Sequence, residues 1–185
     1  MSPDVDNGEG HIESVSRLNH SICRTRSGRG SQLDRTEIIV RQAWQADVPG
    51  MFVVRTSVGE NRLNAAQLAR RGITQASVAQ SLTSGCQAWV AEHRGRIIAF
   101  AIADQEYSSL FALFVLPRYQ GIGLGSRLLD LATQWLWDHG VDPIWLATGP
   151  GTRAAGFYQR RGWVIKATEP NGDLRLERQR DAGVG

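Results

Sequence analysis

The sequence contains few cysteines and no long apolar run. Cys23 and Cys86 are its two cysteines in 185 residues, too few for a disulfide framework or a zinc cluster. The longest apolar runs, 97–103 and 110–116, have seven residues each, whereas a membrane-spanning helix needs about 20. We therefore expect no disulfide-stapled domain, no membrane span and no bound metal.

Lysine is nearly absent, and the charges of the two signs almost balance. Of 21 basic residues only Lys166 is a lysine, and 18 acidic residues leave a formal net charge of +3. The arginines are scattered, whereas a nucleic-acid-binding protein concentrates them on one face. We expect no nucleic-acid partner. An RNA-associated protein stays open as an alternative, which a steep salt dependence of RNA binding would reveal.

The composition changes near residue 36. Residues 1–36 have no aromatic side chain and no apolar periodicity, so they cannot bury enough surface to offset the entropy of ordering. The acidic start is followed by no apolar stretch, unlike a secretory signal. We expect a disordered extension over 1–36, a folded domain over 37–180, a short tail over 181–185 and a cytoplasmic location.

From residue 37 onward, apolar periodicity and turn residues predict about seven strands and about four helices. Asp47 is expected to cap the first helix, and 59–72 is expected to be a polar loop before the second. The predicted strands are 37–43, 87–92, 96–104, 109–116, 144–148, 163–167 and 174–177, and the later helices are 74–84, one ending near 139, and 154–161. The order predicts an α/β fold with a mixed, largely antiparallel central sheet flanked by helices.

A glycine-rich turn connects the strand that ends near Pro117 to an amphipathic helix. Gly121, Gly123 and Gly125 let the backbone approach a ligand, and the free N–H groups of a helix's first turn attract anions. The turn has no lysine for a Walker loop, and Ser126 stands where a dinucleotide fingerprint needs glycine. A phosphate-bearing ligand is the first interpretation, and a tight turn without a ligand remains the alternative.

This stretch resembles the acetyl-CoA-binding motif of the GNAT superfamily of N-acetyltransferases. The residues that match the motif are Val115, Pro117, Gln120, Gly123 and Gly125. A second family motif, on a helix and the strand after it, is matched by Ala154, Tyr158, Gly162 and Trp163. The resemblance covers 37–177 and implies a GNAT-like acyl-CoA N-acyltransferase fold that uses acetyl-CoA as co-substrate.

The resemblance also implies where acetyl-CoA binds. Its pyrophosphate would lie on the backbone amides of the turn, Gly121, Ile122, Gly123, Leu124, Gly125 and Ser126, with Gln120 at the entrance. Its pantetheine arm would pair with the preceding strand at Leu113, Phe114 and Val115, beside a bulge that opens the sheet. An N–H near Phe114 or Val115 would polarise the thioester carbonyl.

The implied activity is transfer of the acetyl group to a primary amine of a small molecule or peptide, by direct attack in a ternary complex. The alternative is a sensor or scaffold of the same fold that binds acetyl-CoA without turnover. Tyr158 is the expected acid for the leaving thiolate, because a tyrosine with a pKa near 10 is neutral at pH 7 and can share a proton with a thiol of pKa about 8.5. A tyrosine that only packs on the sheet is the other interpretation.

The sequence departs from the family pattern at two places. Gly151 stands where many members have an asparagine that orients pantetheine, and Thr152 or Arg153 are candidates to replace it. No carboxylate lies on the strand before this loop, so Glu106, Asp104 or a water chain would remove the amine proton.

The acceptor site is the least defined part of the prediction. Glu60 and Asn61 lie in the loop that contacts the acceptor in the family, and could bind a cationic amine. The resemblance also suggests a homodimer formed through the last strands.

Overall fold

The computed structural model describes residues 37–59 and 63–181. The expected disordered extension, the end of the tail, and the acceptor-loop candidates Glu60 and Asn61 lie outside these described residues.

Within the described ranges the chain forms seven strands and five helices. Two 3-10 turns, Gln45–Asp47 and Pro117–Tyr119, precede α1 and the glycine turn. The elements are β1 Ile38–Gln42, α1 Val48–Ser57, α2 Ala65–Arg70, α3 Gln75–Ser81, β2 Cys86–His93, β3 Arg96–Asp104, β4 Ser109–Val115, α4 Leu124–Asp138, β5 Ile144–Thr148, α5 Arg153–Gln159, β6 Val164–Thr168 and β7 Leu174–Arg178.

All these strands belong to one sheet in the order β1-β2-β3-β4-β5-β7-β6. Neighbours pair antiparallel except β4 and β5, which run parallel. The predicted α/β fold with a mixed, largely antiparallel sheet is therefore confirmed. The parallel pair lies in the interior of the sheet and follows from the crossover through α4.

Helices cover both faces of the sheet. Phe100 and Ile102 of β3 are buried in a cluster with Met51 and Val54 of α1. The alternate β3 residues Ala99, Ala101 and Ala103 are fully buried on the other face, where α4 packs, because side chains alternate along a strand. The alanines leave room for α4 to lie close to the backbone. The core thus has a layer on each side of β3.

The predicted loop over 59–72 is wrong in its second half, where α2 forms. The Asn64 side chain accepts a hydrogen bond from the Gln67 N–H, and the Gln67 side chain accepts one from the Asn64 N–H. This reciprocal cap satisfies two donors that a six-residue helix would otherwise expose. The capping pattern is present in the sequence, but the segment has too few apolar residues to show a periodicity.

The expected cap of α1 by Asp47 is only partly right. Asp47 occupies the position before the helix, but its side chain makes no capping hydrogen bond. Its carboxylate instead accepts from the Trp44 N–H at 2.8 Å and pairs with Arg41 at 2.7 Å. Asp47 therefore fixes the 3-10 turn that leads into α1 and ties that turn to β1.

In the described part of the chain, no helix combines the length and the apolar character that a bilayer crossing requires.

Candidate active site

The glycine turn leads directly into α4, as predicted. Gly121 and Gly123 have φ values of 79° and 93°, in the left-handed region that favours glycine. α4 begins at Leu124, and Arg127 makes the first hydrogen bond of the helix, to the Gly123 carbonyl at 3.0 Å. Among the described residues no backbone carbonyl accepts from the N–H groups of 121–126. Six consecutive amides therefore remain available to an anion.

Gly125 anchors this turn between two other elements. A Cβ atom at this position would lie 3.7 Å from Cγ2 of Val115 and 3.8 Å from Cζ of Phe157. The start of α4 thus packs against the end of β4 and against α5. A small residue at this position keeps the amides of the turn next to β4.

A bulge in β4 precedes the residues expected to hold pantetheine. Ala112 pairs with Ile102 and Leu110 pairs with Ala103, so Phe111 is an extra residue on β4. Its side chain is 43% exposed. A bulge bends the strand and increases its twist, so the expected bulge is present two positions before Leu113.

β4 and β5 separate after their first pair of residues. Ser109 pairs with Trp145, and no other pairing joins these two strands in the described ranges. Leu113, Phe114 and Val115 are only half-buried, although they lie on a central strand. We call this opening between β4 and β5, from Leu110 to Val115, the seam. Its β4 edge presents backbone groups to which an extended ligand can bind in the manner of a strand.

Gln120 connects the seam to α5. Its Nε2 donates to the Val115 carbonyl at 3.1 Å, and its Oε1 accepts from Nη1 of Arg153 at 2.6 Å. The expected entrance residue therefore joins the end of β4 to the first residue of α5.

The two candidates for the missing asparagine have different roles. The Thr152 hydroxyl caps α5, accepting from the Ala155 N–H at 3.1 Å and donating to the Gly149 carbonyl at 2.8 Å. Both of its hydrogen-bonding functions are thus used within the loop. The exposed Arg153 lies at the seam through Gln120, so Arg153 is the better placed of the two.

Tyr158 is buried in α5 and surrounded by aromatic rings. Its ring centroid lies 5.3 Å from that of Phe157 and 5.8 Å from that of Trp163. Burial raises the pKa of Tyr158 above its usual value, so the phenol stays neutral at physiological pH. Its hydroxyl has no hydrogen-bond partner among the described residues, and it is not among the fully buried polar atoms without a partner. The hydroxyl is therefore a neutral donor that no described residue engages.

The two carboxylates considered as bases lie at the other end of β4. Asp104 pairs with Ser109, and its Oδ1 accepts from the Tyr107 N–H at 3.1 Å. Glu106 is exposed in the same turn. Leu113 lies four residue steps after Ser109 along the strand, about 14 Å, which exceeds the reach of direct proton transfer. Neither carboxylate contacts the part of the seam next to the glycine turn.

One residue near the seam was not predicted from the sequence. Arg55, in the last turn of α1, places its guanidinium carbon 4.7 Å from the centroid of the Phe114 ring. As one of 21 basic residues it has no local sequence signal. Only the packing of α1 on β4 brings it to this place.

A family model described as Acetyltransferase (GNAT) family matches residues 60–163, more than half of the chain. The matched segment includes the bulged strand, the glycine turn and Tyr158. The chain belongs to the Acetyltransferase (GNAT) family.

Several relatives of this GNAT chain are described as N-acetyltransferases. An uncharacterized ycf52-like N-acetyltransferase of Prochlorococcus marinus is 32% identical over 42% of this chain and 42% of its own length. An uncharacterized N-acetyltransferase of Mycobacterium tuberculosis is 31% identical over 52% of this chain and 65% of its own. An amino-acid acetyltransferase of Pseudomonas putida is 29% identical over 78% of this chain and 32% of its own. The chain thus spans less than two thirds of the length of these relatives.

Solved structures share the fold at low sequence identity. The crystal structure of the PaiA N-acetyltransferase from Thermoplasma acidophilum, in complex with coenzyme A, has a TM-score of 0.67 at 15% identity. It covers 77% of this chain and 99% of its own. The ribosomal-protein-S18-alanine N-acetyltransferase of Escherichia coli has a TM-score of 0.60 at 18% identity, over 77% of this chain and 93% of its own. These similarities confirm the GNAT fold.

Proposed function

We propose that this protein is an N-acetyltransferase that moves the acetyl group of acetyl-CoA to a primary amine. The observation that carries the proposal is the seam beside the turn of six free amides, with the Tyr158 hydroxyl unengaged on the adjacent helix. The seam offers strand-like backbone groups for an extended arm, and the amides offer an anion site at its end. Acetyl-CoA has both parts, a pyrophosphate and an extended pantetheine arm.

The residues of the chain divide the binding between them. The amides of Gly121, Ile122, Gly123, Leu124, Gly125 and Ser126 bind the pyrophosphate, because free N–H groups at a helix N-terminus attract anions. The backbone of Leu113, Phe114 and Val115 pairs with pantetheine, and an N–H of this segment polarises the thioester carbonyl. The hydrogen-bonded pair Gln120 and Arg153 lies at the entrance to the pyrophosphate site.

The reaction is direct aminolysis in a ternary complex. The amine nitrogen attacks the acetyl carbon, the new C–N bond forms, and the C–S bond breaks with its electrons on sulfur. Tyr158 gives its proton to the departing thiolate, and the proton lost from the amine returns to the phenol through water. Water is the route because Asp104 and Glu106 lie beyond direct reach.

The named activities of relatives support an amine as acceptor. One relative is an amino-acid acetyltransferase, and another, from Haemophilus influenzae, acetylates the alanine of ribosomal protein bS18; it is 34% identical over 37% of this chain and 48% of its own length. Both a small molecule and a peptide therefore remain candidates for the amine acceptor. Glu60 and Asn61 stay proposed acceptor contacts.

The first experiment is isothermal titration of the protein with acetyl-CoA. We expect micromolar binding to the wild type and none to Gly123→Asp, which places a negative charge beside the amides. Gly140→Asp is the matched control because it makes the same substitution at a similar φ of 78° and is separated from Gly123 by the whole length of α4. Absence of binding to a folded wild type would contradict the proposal and leave the glycine turn without a ligand.

A second measurement separates an enzyme from a sensor. Release of coenzyme A is followed with a panel of amines, for the wild type and for Tyr158→Phe. The proposal requires turnover by the wild type and its loss in the variant while acetyl-CoA binding is retained. Equal behaviour of the two proteins, with binding but no turnover, would favour the sensor.

The homodimer and the cytoplasmic location stay proposals. β6 is an edge strand of the sheet whose residues are all exposed, Val164 and Ile165 among them. An exposed strand edge with apolar side chains is suited to pairing with a second copy. Light scattering of the eluted protein tests the dimer, and cell fractionation tests the location.

A further inference from the structure

Arg55 is a half-buried cation to which the described residues offer no anion. Its Nε atom is buried and has no hydrogen-bond partner among the described residues, and none of them forms an ion pair with its guanidinium. Burial, and then the nearby Arg71, lower the pKa of Arg55 from its ordinary value, yet a guanidinium remains charged at neutral pH. A half-buried charge that no described residue neutralises is unfavourable for folding. An anion bound from outside the described residues would offset this cost.

The position of Arg55 is next to the seam. Its guanidinium lies over the ring of Phe114, and it lines, together with Phe111 of the bulge and Ala112, an apolar crevice of about 10 Å³, the size of one water molecule. Phe114 is one of the three residues proposed to hold the pantetheine arm. The Phe114 ring thus lies between the Arg55 guanidinium and the strand that would hold the thioester.

Arg55 lies on the face of the sheet opposite the glycine turn. Consecutive β4 residues point to opposite faces: Phe114 contacts Arg55 of α1, whereas Val115 lies against Gly125 of α4. A ligand whose phosphates lie on the α4 side leaves the α1 side of the seam open. An amine that reaches the thioester from the α1 side passes Arg55.

The chemistry of the site selects an anionic acceptor. A guanidinium fork binds a carboxylate through two parallel hydrogen bonds, which gives both strength and orientation. With Arg71 close by, the local field repels acceptors that carry additional positive charge. Burial strengthens both effects because the local dielectric constant is low.

We propose that Arg55 binds a carboxylate of the acceptor, so that the preferred substrates are small amino carboxylates such as free amino acids. This inference rests on the proposed acetyl transfer, since it names the substrate class of the same site. Arg55 is a positioning residue here. It takes part in no bond that forms or breaks.

The test compares acceptors that differ only in the carboxylate. Pairs such as phenylalanine with phenethylamine, and alanine with ethylamine, are assayed with saturating acetyl-CoA, with spermidine as a cation-rich acceptor. For the wild type we expect kcat/KM to be about 10- to 100-fold higher for the amino acid of each pair, the range expected for hydrogen bonds to a charged group. Spermidine should be the poorest acceptor.

Arg55→Met should abolish this preference. KM for the amino acid should rise about 10- to 100-fold with kcat little changed, while the matched amine is unaffected, because the variant loses a carboxylate contact that is equally strong in the ground state and the transition state. Arg55→Lys should keep part of the preference. Arg96→Met, at the exposed start of β3, removes the same charge and should behave as the wild type.

The melting temperature distinguishes positioning from a structural role. Arg55→Met should melt at the same temperature as the wild type or higher, because the variant removes a half-buried charge that no described residue neutralises. A lower melting temperature, with equal losses for both acceptors of a pair, would show that Arg55 serves the fold and would overturn the inference. A wild type that prefers the carboxylate-free amines, or peptides over free amino acids, would overturn it as well.

A binding measurement keeps this inference separate from the proposed function. The protein saturated with coenzyme A is titrated calorimetrically with the amino acids. If no amine is acetylated, the proposed function fails, while amino-acid binding that is lost in Arg55→Met and kept in Arg96→Met still supports the role of Arg55. Absence of binding, or equal binding by the wild type and Arg55→Met, refutes that role.

Discussion

The three tyrosines of the chain differ in what their hydroxyls do, and this difference gives a test at the scale of single residues. The Tyr119 hydroxyl lies 2.8 Å from Nδ1 of His93, whereas that of Tyr158 has no partner among the described residues. Tyr158→Phe should lower kcat by about 100-fold or more, as for loss of a general acid, with the free energy of unfolding unchanged. Tyr119→Phe should cost about 1 kcal/mol of stability, the value of one hydrogen bond, and leave kcat unchanged.

Steady-state kinetics and urea unfolding of both variants measure these effects. Tyr107→Phe, in the exposed turn before β4, should change neither quantity. Equal kcat values for Tyr158→Phe and wild type would remove Tyr158 from the mechanism and leave it a packing residue.

The raised pKa of Tyr158 also predicts how stability depends on pH. The folded protein keeps the phenolic proton at pH values where the unfolded chain, with a pKa near 10, has released it. The stabilisation of the folded state by this retained proton is therefore fully present below pH 10. It is lost as the pH rises toward the higher pKa of the folded state, by at most about 1.4 kcal/mol per pH unit. The difference in unfolding free energy between wild type and Tyr158→Phe, measured from pH 8.5 to 11.5, should be constant below pH 10 and decline above it. A constant difference over the whole range would contradict the burial of this phenol.

At the scale of single residues, the sequence predicts a role where that role depends on residues nearby in the chain. The glycines of the turn follow each other closely in the chain, and Tyr158 was identified through the family motif that it matches. Arg55 could not be found in this way, because its neighbour Phe114 is distant in the chain and only tertiary packing joins them. Asp104 and Glu106 are candidate bases in the sequence because the strand 144–148 has no carboxylate, but the structure places them at the end of β4 that is remote from the glycine turn.

At the scale of elements, the turn before α4 provides a matched pair of variants. Gly123→Ala places a side chain at a φ of 93°, which costs about 1–2 kcal/mol. Gly125→Ala has an ordinary φ and meets Val115 and Phe157 at van der Waals distance, so its stability should match or exceed that of the wild type through higher helix propensity.

The affinity for acetyl-CoA, like the stability, should be lower in Gly123→Ala than in Gly125→Ala. Gly123→Ala distorts the row of amides and should weaken binding at least tenfold, whereas Gly125→Ala should stay within a few-fold of the wild type. Urea unfolding and calorimetric titration measure the two quantities. Equal losses in both variants would contradict the conformational role of Gly123.

The elements themselves were largely predictable because their signals are local. β3 and β5 have the predicted bounds, and the Arg94-Gly95 hairpin forms with both residues at positive φ. α2 was missed because one capping pair and six residues carry less signal than an apolar stripe. Asp47 occupies the predicted cap position of α1, but its carboxylate makes no capping bond because it is engaged by Arg41 and the Trp44 N–H.

At the scale of the molecule, the seam divides the sheet into β1–β4 and β5–β7. Only the Ser109–Trp145 pair joins the two parts through β4 and β5 in the described ranges. In the free protein, the β4 amides that face the seam should exchange hydrogen faster than those between β2 and β3, which are paired along both strands. Coenzyme A should slow the seam amides, whereas adenosine 3′,5′-bisphosphate, which lacks pantetheine, should not.

Hydrogen exchange resolved to single amides tests this expectation. Seam amides that exchange as slowly as those of β2 and β3 in the free protein would show that the seam is closed. The sequence predicted the bulge only through the family resemblance, because nothing in 109–116 itself indicates that two parallel neighbours separate.

The seam has a consequence for how the protein behaves in concentrated solution. Unpaired strand edges are templates for aggregation, and proteins usually cover them or place charges on them. Here the apolar segment of β4 from Leu110 to Val115 has an unpaired edge in the interior of the sheet, where β4 and β5 separate. A bound ligand, rather than another strand, would cover this edge. Coenzyme A should therefore act as a solubilising agent during refolding and storage, and preparations stripped of it should precipitate at lower protein concentrations.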